Sequence, residues 1–429
     1  MKIGLEVHVA LPTKSKLFCP CSLDDAEPNT NICPICMGFP GSKPMLNEAA
    51  VESALSIANA LHCRINNSMS FVRKVYFYPD LPKCYQITQM DGAIGSGGYL
   101  DIDEKKVMIR RVQVEEDPAQ IVREGLLTLL DFNRSGTPLV EIVTEPDIAS
   151  EEELRAFIAN LRSILYYIGV DINKEIKADL NVSCAETRVE VKNVTGIKSL
   201  IAALRYEVAR QNALVKAGKE IARETRGYNE KKRITESLRE KETEDEYGYM
   251  YEPDLTVFNI SGMRYVPPVY VSKIAEELAK GSDMSPKTIK EMTMLDRNSL
   301  ELITKLKGKY KMRSIIHAIQ RYKKYNEDEP RQDTIEKMIS LIDAGKLLAG
   351  DAVHAIKAGR SVSIEYARLN GPEIDRVILE FLKANPHVLS EYKKRSKTAN
   401  LIIDKIAKAH GLHPKEVAER LALILKRHK

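Results

Sequence analysis

Several short segments of this chain combine alternating apolar residues with carboxylates, which is the pattern of a half-buried strand with an acidic end. The clearest is Lys106 to Asp117 (KVMIRRVQVEED), in which four aliphatic residues sit among basic ones before Glu115, Glu116 and Asp117. A strand that delivers adjacent acid groups at its end can hold a hard cation. A strand that runs into a solvated acidic turn explains the same pattern, so the cation site remains one of two interpretations.

The first eleven residues alternate strictly between apolar and other side chains. Five aliphatic residues occupy the odd positions from Ile3 to Leu11, and Glu6 and His8 are neighbours on the other face. This period of two predicts a strand, and a carboxylate and an imidazole two residues apart can share one metal ion. A histidine on a strand can equally be structural.

A second alternating pair follows at 176–183 and 188–192. Asp179 and Asn181 share one side of the first segment, and Arg188, Glu190 and Lys192 share one side of the second. The short turn between the segments predicts an antiparallel hairpin whose polar side is mixed in charge. A merely solvated face is the alternative, but with Glu6, His8 and Glu115 the hairpin predicts one sheet face with acids for a divalent metal and bases for phosphate.

Four cysteines form two close pairs, Cys19-x-Cys21 and Cys33-x-x-Cys36, separated by eleven residues. Two thiolate pairs joined by a short loop can converge tetrahedrally on Zn²⁺. Disulfides are the competing interpretation, and they are disfavoured inside the cell. The pattern therefore predicts a structural zinc site.

Composition and periodicity predict a chain of 429 residues with three regions. These are a mixed α/β body at 1–266, a helical connector at 267–330 and a helical tail at 331–429. In the body we expect a helix at 47–61, a pocket-framing loop with Lys83, Tyr85 and Gln86 as candidate ligand contacts, a turn at 95–98, and an exposed or mobile helix-loop segment at 221–254.

Charge is distributed unevenly along the chain. Residues 391–429 contain eleven Lys or Arg and four acids, a net charge of +7, whereas the rest of the chain has a net charge of −2. A basic appendage suits a partner with a phosphate backbone, although a solubilising tail would look the same. Glu6 and His8 interrupt any N-terminal signal sequence, and no segment has the apolar length of a membrane span, so we expect a cytoplasmic protein with no membrane partner.

Ordered blocks over nearly the whole chain resemble the family of B subunits of the glutamine-dependent aspartyl/glutamyl-tRNA amidotransferases. The blocks are GLEVHVAL, ICPICMGFPGSKPMLN, YFYPDLPKCYQITQ, VEEDPA, DFNRSGTPLVEIVTEPD, DLNVS, TRVEVKN, ETRGYNE and EPDL, followed by MISLIDAGKL and NPHVLSEYKKRSKTANLIIDKIAK in the tail. The resemblance implies an α+β fold, with an antiparallel-sheet catalytic body similar to the glutamine synthetase core, then a helical connector and a small all-α tail domain that contacts tRNA.

The resemblance also implies a reaction and its partners. ATP phosphorylates the side-chain carboxylate of Asp or Glu misacylated on tRNA(Asn) or tRNA(Gln), and ammonia then displaces phosphate to give the amide. The chain has no Ser-Ser-Lys amidase pattern. Ammonia should therefore come from a separate glutaminase (A) subunit, with a small third (C) subunit completing a heterotrimer.

Matching the family's motifs residue by residue gives a set of expected site residues. Mg²⁺ is expected on Glu6, His8, Glu115, Glu116 and Asp179, with Glu190 as a further candidate. ATP phosphates are expected on Arg188, Lys192 and Asn193, Zn²⁺ on the four cysteines, and tRNA on Lys393, Lys394, Arg395 and Lys397.

Two positions depart from the family pattern. Gln113 stands where the family usually has His, and the usual Glu-Glu-Gly-Ser-Leu-Arg-Cys is replaced by residues 173–178, so Asp171 or Glu175 is expected to substitute for a metal carboxylate. One rival is the archaeal relative specific for Glu-tRNA(Gln), whose large inserted domain has no room in 429 residues. The other is a catalytically silent tRNA-binding scaffold.

Overall fold

A computed structural model describes residues 1–102, 105–171, 176–240, 248–293, 297–325, 329–343, 371–385, 403, 405–406 and 414–427. The chain divides into two compact units, Met1–Tyr270 and Val271–Lys429. The expected division at 266 and 330 into a body, a connector and a tail stays a prediction.

The first unit contains sixteen strands among its described residues, and nine of them form one large sheet. The strands are β1 Lys2–Ala10, β2 Arg64–Ile65, β3 Ser68–Met69, β4 Val72–Val75, β5 Tyr85–Thr88, β6 Gly95–Ile102, β7 Lys105–Glu116, β8 Gln120–Glu124, β9 Leu127–Asp131, β10 Pro138–Thr144, β11 Lys177–Ser183, β12 Val189–Thr195, β13 Glu224–Asn229, β14 Ile234–Glu240, β15 Gly248–Tyr251 and β16 Phe258–Asn259.

The large sheet has the order β14-β13-β12-β11-β1-β10-β7-β6-β2. Neighbouring strands are antiparallel except β12 and β13, which are parallel and are joined through helix α3. Three helices, α1 Glu48–Ala60, α2 Glu151–Ile168 and α3 Ile197–Lys216, pack on one face and enclose the hydrophobic core with the aliphatic side chains of the central strands. The opposite face, here called the open face, is left for polar side chains.

Local sequence explains where these elements begin and end. Asn47 caps α1 by accepting a hydrogen bond from the Ala49 N–H, so the expected helix at 47–61 is confirmed to within one residue at each end. Ser150 caps α2 in the same way, and Gly169 ends that helix with a φ of 100°. The expected strand at the N-terminus and the hairpin of β11 and β12 are also confirmed.

Two expectations about local structure are wrong. Gly95–Gly98 opens β6 and is not a turn, because Gly98 allows the strand to approach the Leu61 carbonyl, which an added Cβ would meet at 2.3 Å. Within 221–254, the described residues form β13, β14 and β15 and contain no helix. The segment is rich in charged residues, so its composition does not predict a strand. It forms one because β13 pairs with β12 and so extends the large sheet.

A smaller sheet, β15-β4-β5, brings β5 against β7 on the large sheet. Thr88 at the end of β5 donates a hydrogen bond to Glu115 on β7, with 3.1 Å between oxygens. A separate hairpin, β8–β9, follows β7 directly. The loop at 131–137 after that hairpin hydrogen-bonds to Asp117 through the Gly136 N–H and the Thr137 carbonyl, which fixes the acidic end of β7.

The second unit is helical in its described residues. Its helices are α4 Val271–Ala279, α5 Pro286–Thr293, α6 Arg297–Leu306, α7 Met312–Tyr325, α8 Gln332–Asp343, α9 Gly371–Ala384 and α10 Pro414–Arg427. Helices α9 and α10 share a small apolar core, and Arg420 pairs with Asp375 beside it. No helix in the described parts of the chain is both long enough and apolar enough to cross a bilayer.

The expected α+β class is confirmed, with a large, mostly antiparallel sheet and ten helices in the described residues. The likeness of the body to the glutamine synthetase core stays a prediction.

We expect the buried carboxylate of Glu207 on α3 to make the first unit sensitive to acid. Burial opposes its ionisation, but hydrogen bonds from Arg210 (2.7 Å), Gln211 (2.9 Å) and Thr235 (3.0 Å) outweigh burial and lower the pKa of Glu207. Its stabilising contribution is therefore complete above pH 4.5, the ordinary carboxyl value, and is lost as the pH falls through the lower folded-state pKa. Replacing Glu207 by Ala should lower the free energy of unfolding at pH 7 by about 3 kcal/mol, because the half-buried Arg210 and Arg226 lose one of their two carboxylate partners and keep only Glu224.

Urea denaturation at pH 7 and at pH 3 measures this difference. The difference between the variant and the wild type should be smaller at the lower pH, whereas Glu220→Ala, at an exposed position, should leave the stability unchanged at both. An equal loss at both pH values would show that packing, not charge, makes Glu207 important.

Candidate active site

Strand alternation and register bring acids from five neighbouring strands onto the open face. Glu6 lies opposite Asp179 of β11 on one side, and His8 lies opposite Glu141 of β10 on the other. Glu141 in turn faces Gln113 of β7. Because side chains two residues apart share a sheet face, these positions form a continuous polar strip across the middle of the sheet.

The first cluster on this strip is Glu6, Asp179 and Glu190, whose oxygens all lie within 4.8 Å of one another. A shift in register between β11 and β12 places both Lys192 and Asn193 beside Asp179. Lys192 Nζ lies 2.9 Å from both Asp179 Oδ2 and Glu190 Oε1, and the Asn193 N–H donates to Asp179 Oδ1 at 2.9 Å. Both oxygens of Asp179 are thereby held in place.

The second cluster is His8, Glu115 and Glu141, again with ligand atoms within 4.8 Å of one another. His8 Nε2 lies 3.4 Å from Glu115 Oε1, and the Gln113 side-chain amide donates to Glu141 Oε2 at 2.5 Å. This hydrogen bond requires the amide nitrogen to face the carboxylate, which fixes the orientation of the Gln113 side chain.

Crowding and burial shift the protonation of both clusters. Burial, reinforced by Glu141, Glu190 and Asp179, raises the pKa of Glu6. Burial and the neighbouring Glu115 raise the pKa of Glu141. Burial disfavours the His8 imidazolium, but the surrounding carboxylates, Glu115 first, outweigh burial and raise the pKa of His8. In all three cases the neighbouring carboxylates favour the protonated form, and a bound cation would relieve this excess of negative charge.

The donor set fits divalent cations. The first cluster offers only oxygen ligands, as Mg²⁺ prefers, and the second adds one imidazole nitrogen. Beside each cluster a buried amide oxygen has no hydrogen-bond partner, Asn181 Oδ1 in the first and Gln113 Oε1 in the second. Such buried acceptors are costly unless a ligand satisfies them.

Of the five residues expected to bind Mg²⁺, the structure places two in each cluster and one in neither. Glu6 and Asp179 join the first cluster and His8 and Glu115 join the second, while Glu116 belongs to neither. Glu116 alternates to the other side of β7, where Lys83 Nζ contacts its two oxygens at 2.5 and 2.7 Å and the Ile87 N–H donates to it. Glu190, a further candidate from the sequence, belongs to the first cluster.

The cluster ligand that the sequence analysis missed is Glu141. The sequence indicates that Leu139, Glu141 and Val143 share one face of a strand, since they are two residues apart. It does not indicate that this strand, β10, pairs with β1. With Glu141 present, each cluster has three ligands without the expected substitutes for the family's missing carboxylate. Asp171 is exposed, and Glu175 lies outside the described residues.

Among the residues expected to bind phosphate, Lys192 and Asn193 contact Asp179. Arg188 is exposed and immediately precedes β12, two residues before Glu190. The tail residues Lys393, Lys394, Arg395 and Lys397 lie outside the described residues.

The four cysteines expected to bind zinc converge in one place, with all sulfur atoms within 4.8 Å of one another and without a disulfide. Cys33 and Cys36 sulfurs lie 3.9 Å apart, close to the edge of about 3.8 Å in a tetrahedron with Zn–S bonds of about 2.3 Å. Hydrogen bonding from Cys19 lowers the pKa of Cys36 and raises that of Cys19. The sulfur donor set and its spacing fit Zn²⁺.

A buried lysine lies beside this cysteine cluster. Lys16 is fully buried, its Nζ lies 3.6 Å from Cys36 Sγ, and it donates to the Phe132 carbonyl at 3.1 Å. A buried ammonium group is costly without a counter-charge, which thiolates at this position supply.

Comparison with known proteins identifies the family. Residues 1–265 match the family model described as the GatB/GatE catalytic domain. Three relatives are each named as the B subunit of an aspartyl/glutamyl-tRNA(Asn/Gln) amidotransferase. The one from Methanoregula boonei is 49% identical over 269 residues, which are 59% of this chain and 56% of the relative. The one from Saccharolobus solfataricus is 36% identical over 454 residues, with 96% of each chain covered. The one from Persephonella marina is 34% identical over 476 residues, with 99% of each covered.

The alignment with the Methanoregula boonei protein spans just over half of that relative's length, whereas the other two alignments extend over both chains. The resemblance inferred from the sequence motifs is thereby confirmed. The chain belongs to the family of aspartyl/glutamyl-tRNA(Asn/Gln) amidotransferase B subunits, a family of carbon–nitrogen ligases.

Proposed function

We propose that this protein catalyses the ATP-dependent transamidation of Asp-tRNA(Asn), Glu-tRNA(Gln) or both to the corresponding amides. The observation that carries the proposal is the pair of carboxylate clusters on one sheet face, in a chain of this family. Five strands of one sheet supply the six ligands, so the clusters share a rigid support, as a site for positioned phosphoryl transfer requires.

The reaction has two steps because a carboxylate is a poor acylating group. In the first step, a carboxylate oxygen of the misacylated amino acid attacks the γ-phosphorus of ATP and ADP leaves. In the second step, ammonia attacks the acyl carbon, the bond between that carbon and the phosphate oxygen breaks, inorganic phosphate leaves, and the nitrogen loses a proton. The products are ADP, phosphate and Asn-tRNA or Gln-tRNA.

The two clusters are the proposed Mg²⁺ ligands, Glu6, Asp179 and Glu190 in one and His8, Glu115 and Glu141 in the other. Magnesium would neutralise the charge on the phosphate oxygens and so stabilise the transferring phosphoryl group. Glu116 is not part of this proposal, since its oxygens contact Lys83 and the Ile87 N–H.

The protein's own groups orient these ligands. Lys192 and the Asn193 N–H hold Asp179, Gln113 holds Glu141, and Thr88 holds Glu115. Locked carboxylates lower the reorganisation needed when charge moves in the reaction. Arg188, exposed just before β12, is the proposed contact for nucleotide phosphates.

The proposed partners follow from the reaction. Ammonia is supplied by a glutaminase subunit, a small third subunit completes a heterotrimer, and misacylated tRNA is the substrate. The designation of the relatives as B subunits supports a heteromeric enzyme. Protein synthesis is the process that consumes the product, which supports a cytoplasmic location.

The direct test uses the reconstituted complex, γ-labelled ATP and misacylated tRNA in the absence of ammonia and glutamine. We expect label to accumulate as phospho-aspartyl-tRNA or phospho-glutamyl-tRNA, and hydroxylamine should trap it. A complex that amidates nothing and forms no labelled intermediate with either tRNA would instead support the silent scaffold. Comparing Asp-tRNA(Asn) with Glu-tRNA(Gln) in the same assay shows which substrate is used.

Replacing the four tail residues Lys393, Lys394, Arg395 and Lys397 with Gln in the full chain should raise KM for misacylated tRNA. Each lost phosphate contact reduces the slope of log K against log salt by about 0.7–0.9, so the salt dependence should flatten as well. Glutaminase turnover of the complex should change much less, because glutamine hydrolysis is assigned in this proposal to a separate subunit.

The matched control replaces four exposed lysines of the first unit, Lys14, Lys198, Lys216 and Lys219, and so changes the net charge equally. Equal effects of the two quadruple variants on KM would show that net charge, and not the tail, attracts tRNA.

A further inference from the structure

Arg111 is a cation on the open face whose Nε has no hydrogen-bond partner among the described residues. It lies two residues before Gln113 and four before Glu115 on β7, so its side chain shares their face. Its Nε is buried and has no hydrogen-bond partner, although the residue as a whole keeps partial exposure. The guanidinium is thus reachable from the open face while its inner N–H lacks an acceptor.

Register places Arg111 close to the first cluster. Glu6 pairs with Val143 of β10, and Val143 pairs with Arg111, so Arg111 is two strands away from Glu6 in the same row. At a strand spacing of about 4.7–4.9 Å, the two backbone positions are about 10 Å apart. The positive charge of Arg111 also acts on Glu141 of the second cluster, where it partly offsets the raised pKa of that carboxyl group, so the guanidinium lies within electrostatic range of both rows of acids.

Two carboxylates on the same face, Glu141 and Glu115, already have hydrogen-bond or ion-pair partners of their own. Glu141 accepts from Gln113, and Glu115 contacts both His8 and Thr88. A guanidinium is always charged, and a buried N–H without an acceptor is costly. An oxyanion of a ligand would supply both the acceptor that Nε lacks and a counter-charge, whereas a metal ion has the wrong charge.

We propose that Arg111 binds an oxyanion of the reactants, either a phosphoryl group or the substrate carboxylate that receives it. This inference rests on the proposed function and adds a residue that contacts the reacting groups. The planar fork of Arg suits the two oxygens of either group. Its role is to neutralise negative charge that the carboxylate clusters would otherwise repel.

The neighbouring residue provides a matched control. The pairing of β7 slips by one residue at Arg110, which turns outward and makes two hydrogen bonds to Glu145, at 2.9 and 2.8 Å. Arg110→Met therefore removes the same charge, next in sequence, from a pair on the protein surface. Thermal unfolding and metal content of both variants report on their folding.

The experiment compares Arg111→Met, Arg111→Lys and Arg110→Met in the full complex with γ-labelled ATP. We expect Arg111→Met to lower the rate of acyl-phosphate formation by at least about 100-fold, as loss of a transition-state donor does. Arg111→Lys should lose at least about 10-fold, because an ammonium cannot form two parallel hydrogen bonds. Arg110→Met should stay within about 3-fold of wild type, since exposed ion pairs contribute little.

The kinetic parameters distinguish the two sources of the oxyanion. A phosphoryl contact lowers kcat or raises KM for ATP with KM for misacylated tRNA unchanged, whereas a carboxylate contact raises KM for misacylated tRNA. Equal rates of acyl-phosphate formation for Arg111→Met and Arg110→Met would overturn the proposal. If Arg111→Met does not fold, a wild-type rate for Arg111→Lys would overturn it.

A wild-type complex that forms no acyl phosphate defeats the proposed function. In that case, equal binding of a non-hydrolysable ATP analogue and of misacylated tRNA by the Arg111 and Arg110 variants would separately defeat this inference.

Discussion

Replacing Glu6 by Gln should lower the rate of acyl-phosphate formation by about 100-fold or more, the loss seen when one preorganised electrostatic group is removed from a transition state. Gln has nearly the shape of Glu but lacks the negative charge of a metal ligand. The assay with γ-labelled ATP and misacylated tRNA measures this step directly. The concentration of Mg²⁺ needed for half-maximal rate should also rise.

The protein should tolerate this substitution structurally. Burial and the nearby Glu141, Glu190 and Asp179 raise the pKa of Glu6, which means that the folded state opposes its ionisation. A neutral side chain removes that repulsion, so thermal stability should be unchanged or higher. A lower rate together with undiminished stability assigns the effect to chemistry and not to folding.

Glu145→Gln is the matched control, because Glu145 follows β10 on the protein surface and pairs with Arg110. Its rate should remain within about 3-fold of wild type, as expected for an exposed ion pair. If Glu6→Gln retains the wild-type rate, the assignment of the first cluster to Mg²⁺ is wrong. A silent scaffold would show no labelled intermediate even before substitution.

Removal of zinc should destabilise the loop that joins the cysteine cluster to the catalytic sheet. Purified protein should contain one Zn²⁺ per chain, and Cys33→Ser should lower this below half an equivalent. Structural zinc binding is worth about 10 kcal/mol or more in small zinc domains. We therefore expect the melting temperature to fall by about 10 °C, since several kcal/mol are lost from a unit of this size.

The structure explains why this loss should reach beyond the cysteines. Lys16 lies between Cys36 and the Phe132 carbonyl, and the Gly136 carbonyl accepts the Leu17 N–H in the same loop. Loss of the thiolates leaves the Lys16 ammonium buried without a counter-charge. That loop hydrogen-bonds to Asp117 at the end of β7, so catalytic activity should fall along with stability.

Cys84→Ser serves as the control for the zinc measurement, because Cys84 is exposed and outside the cysteine cluster. Its zinc content and melting temperature should equal those of the wild type. Less than about half an equivalent of zinc in wild-type protein, by metal analysis after purification without chelators, would refute the four-thiolate site.

The sequence determined the elements that alternation and capping specify locally. Period-two patterns gave β1 and the hairpin of β11 and β12, and with them the face on which Glu6, Asp179 and Glu190 lie. Cysteine spacing gave the convergence of four thiols, since short loops restrict where the pairs can meet. The ordered motif blocks identified the family, and the comparisons with known proteins confirm it.

Only the tertiary structure decided which strands are neighbours, because pairing between distant segments depends on packing over the whole sheet and leaves no local signal. The placement of β10 between β1 and β7 brings Glu141 to His8 and aligns Arg111 with Glu6. Alternation along β7 separates Glu115 from Glu116, and Lys83 then pairs with Glu116 on the other side. The acidic residues on alternating strands can be identified from the sequence. Their division into two clusters depends on strand order and register, which only the folded sheet sets.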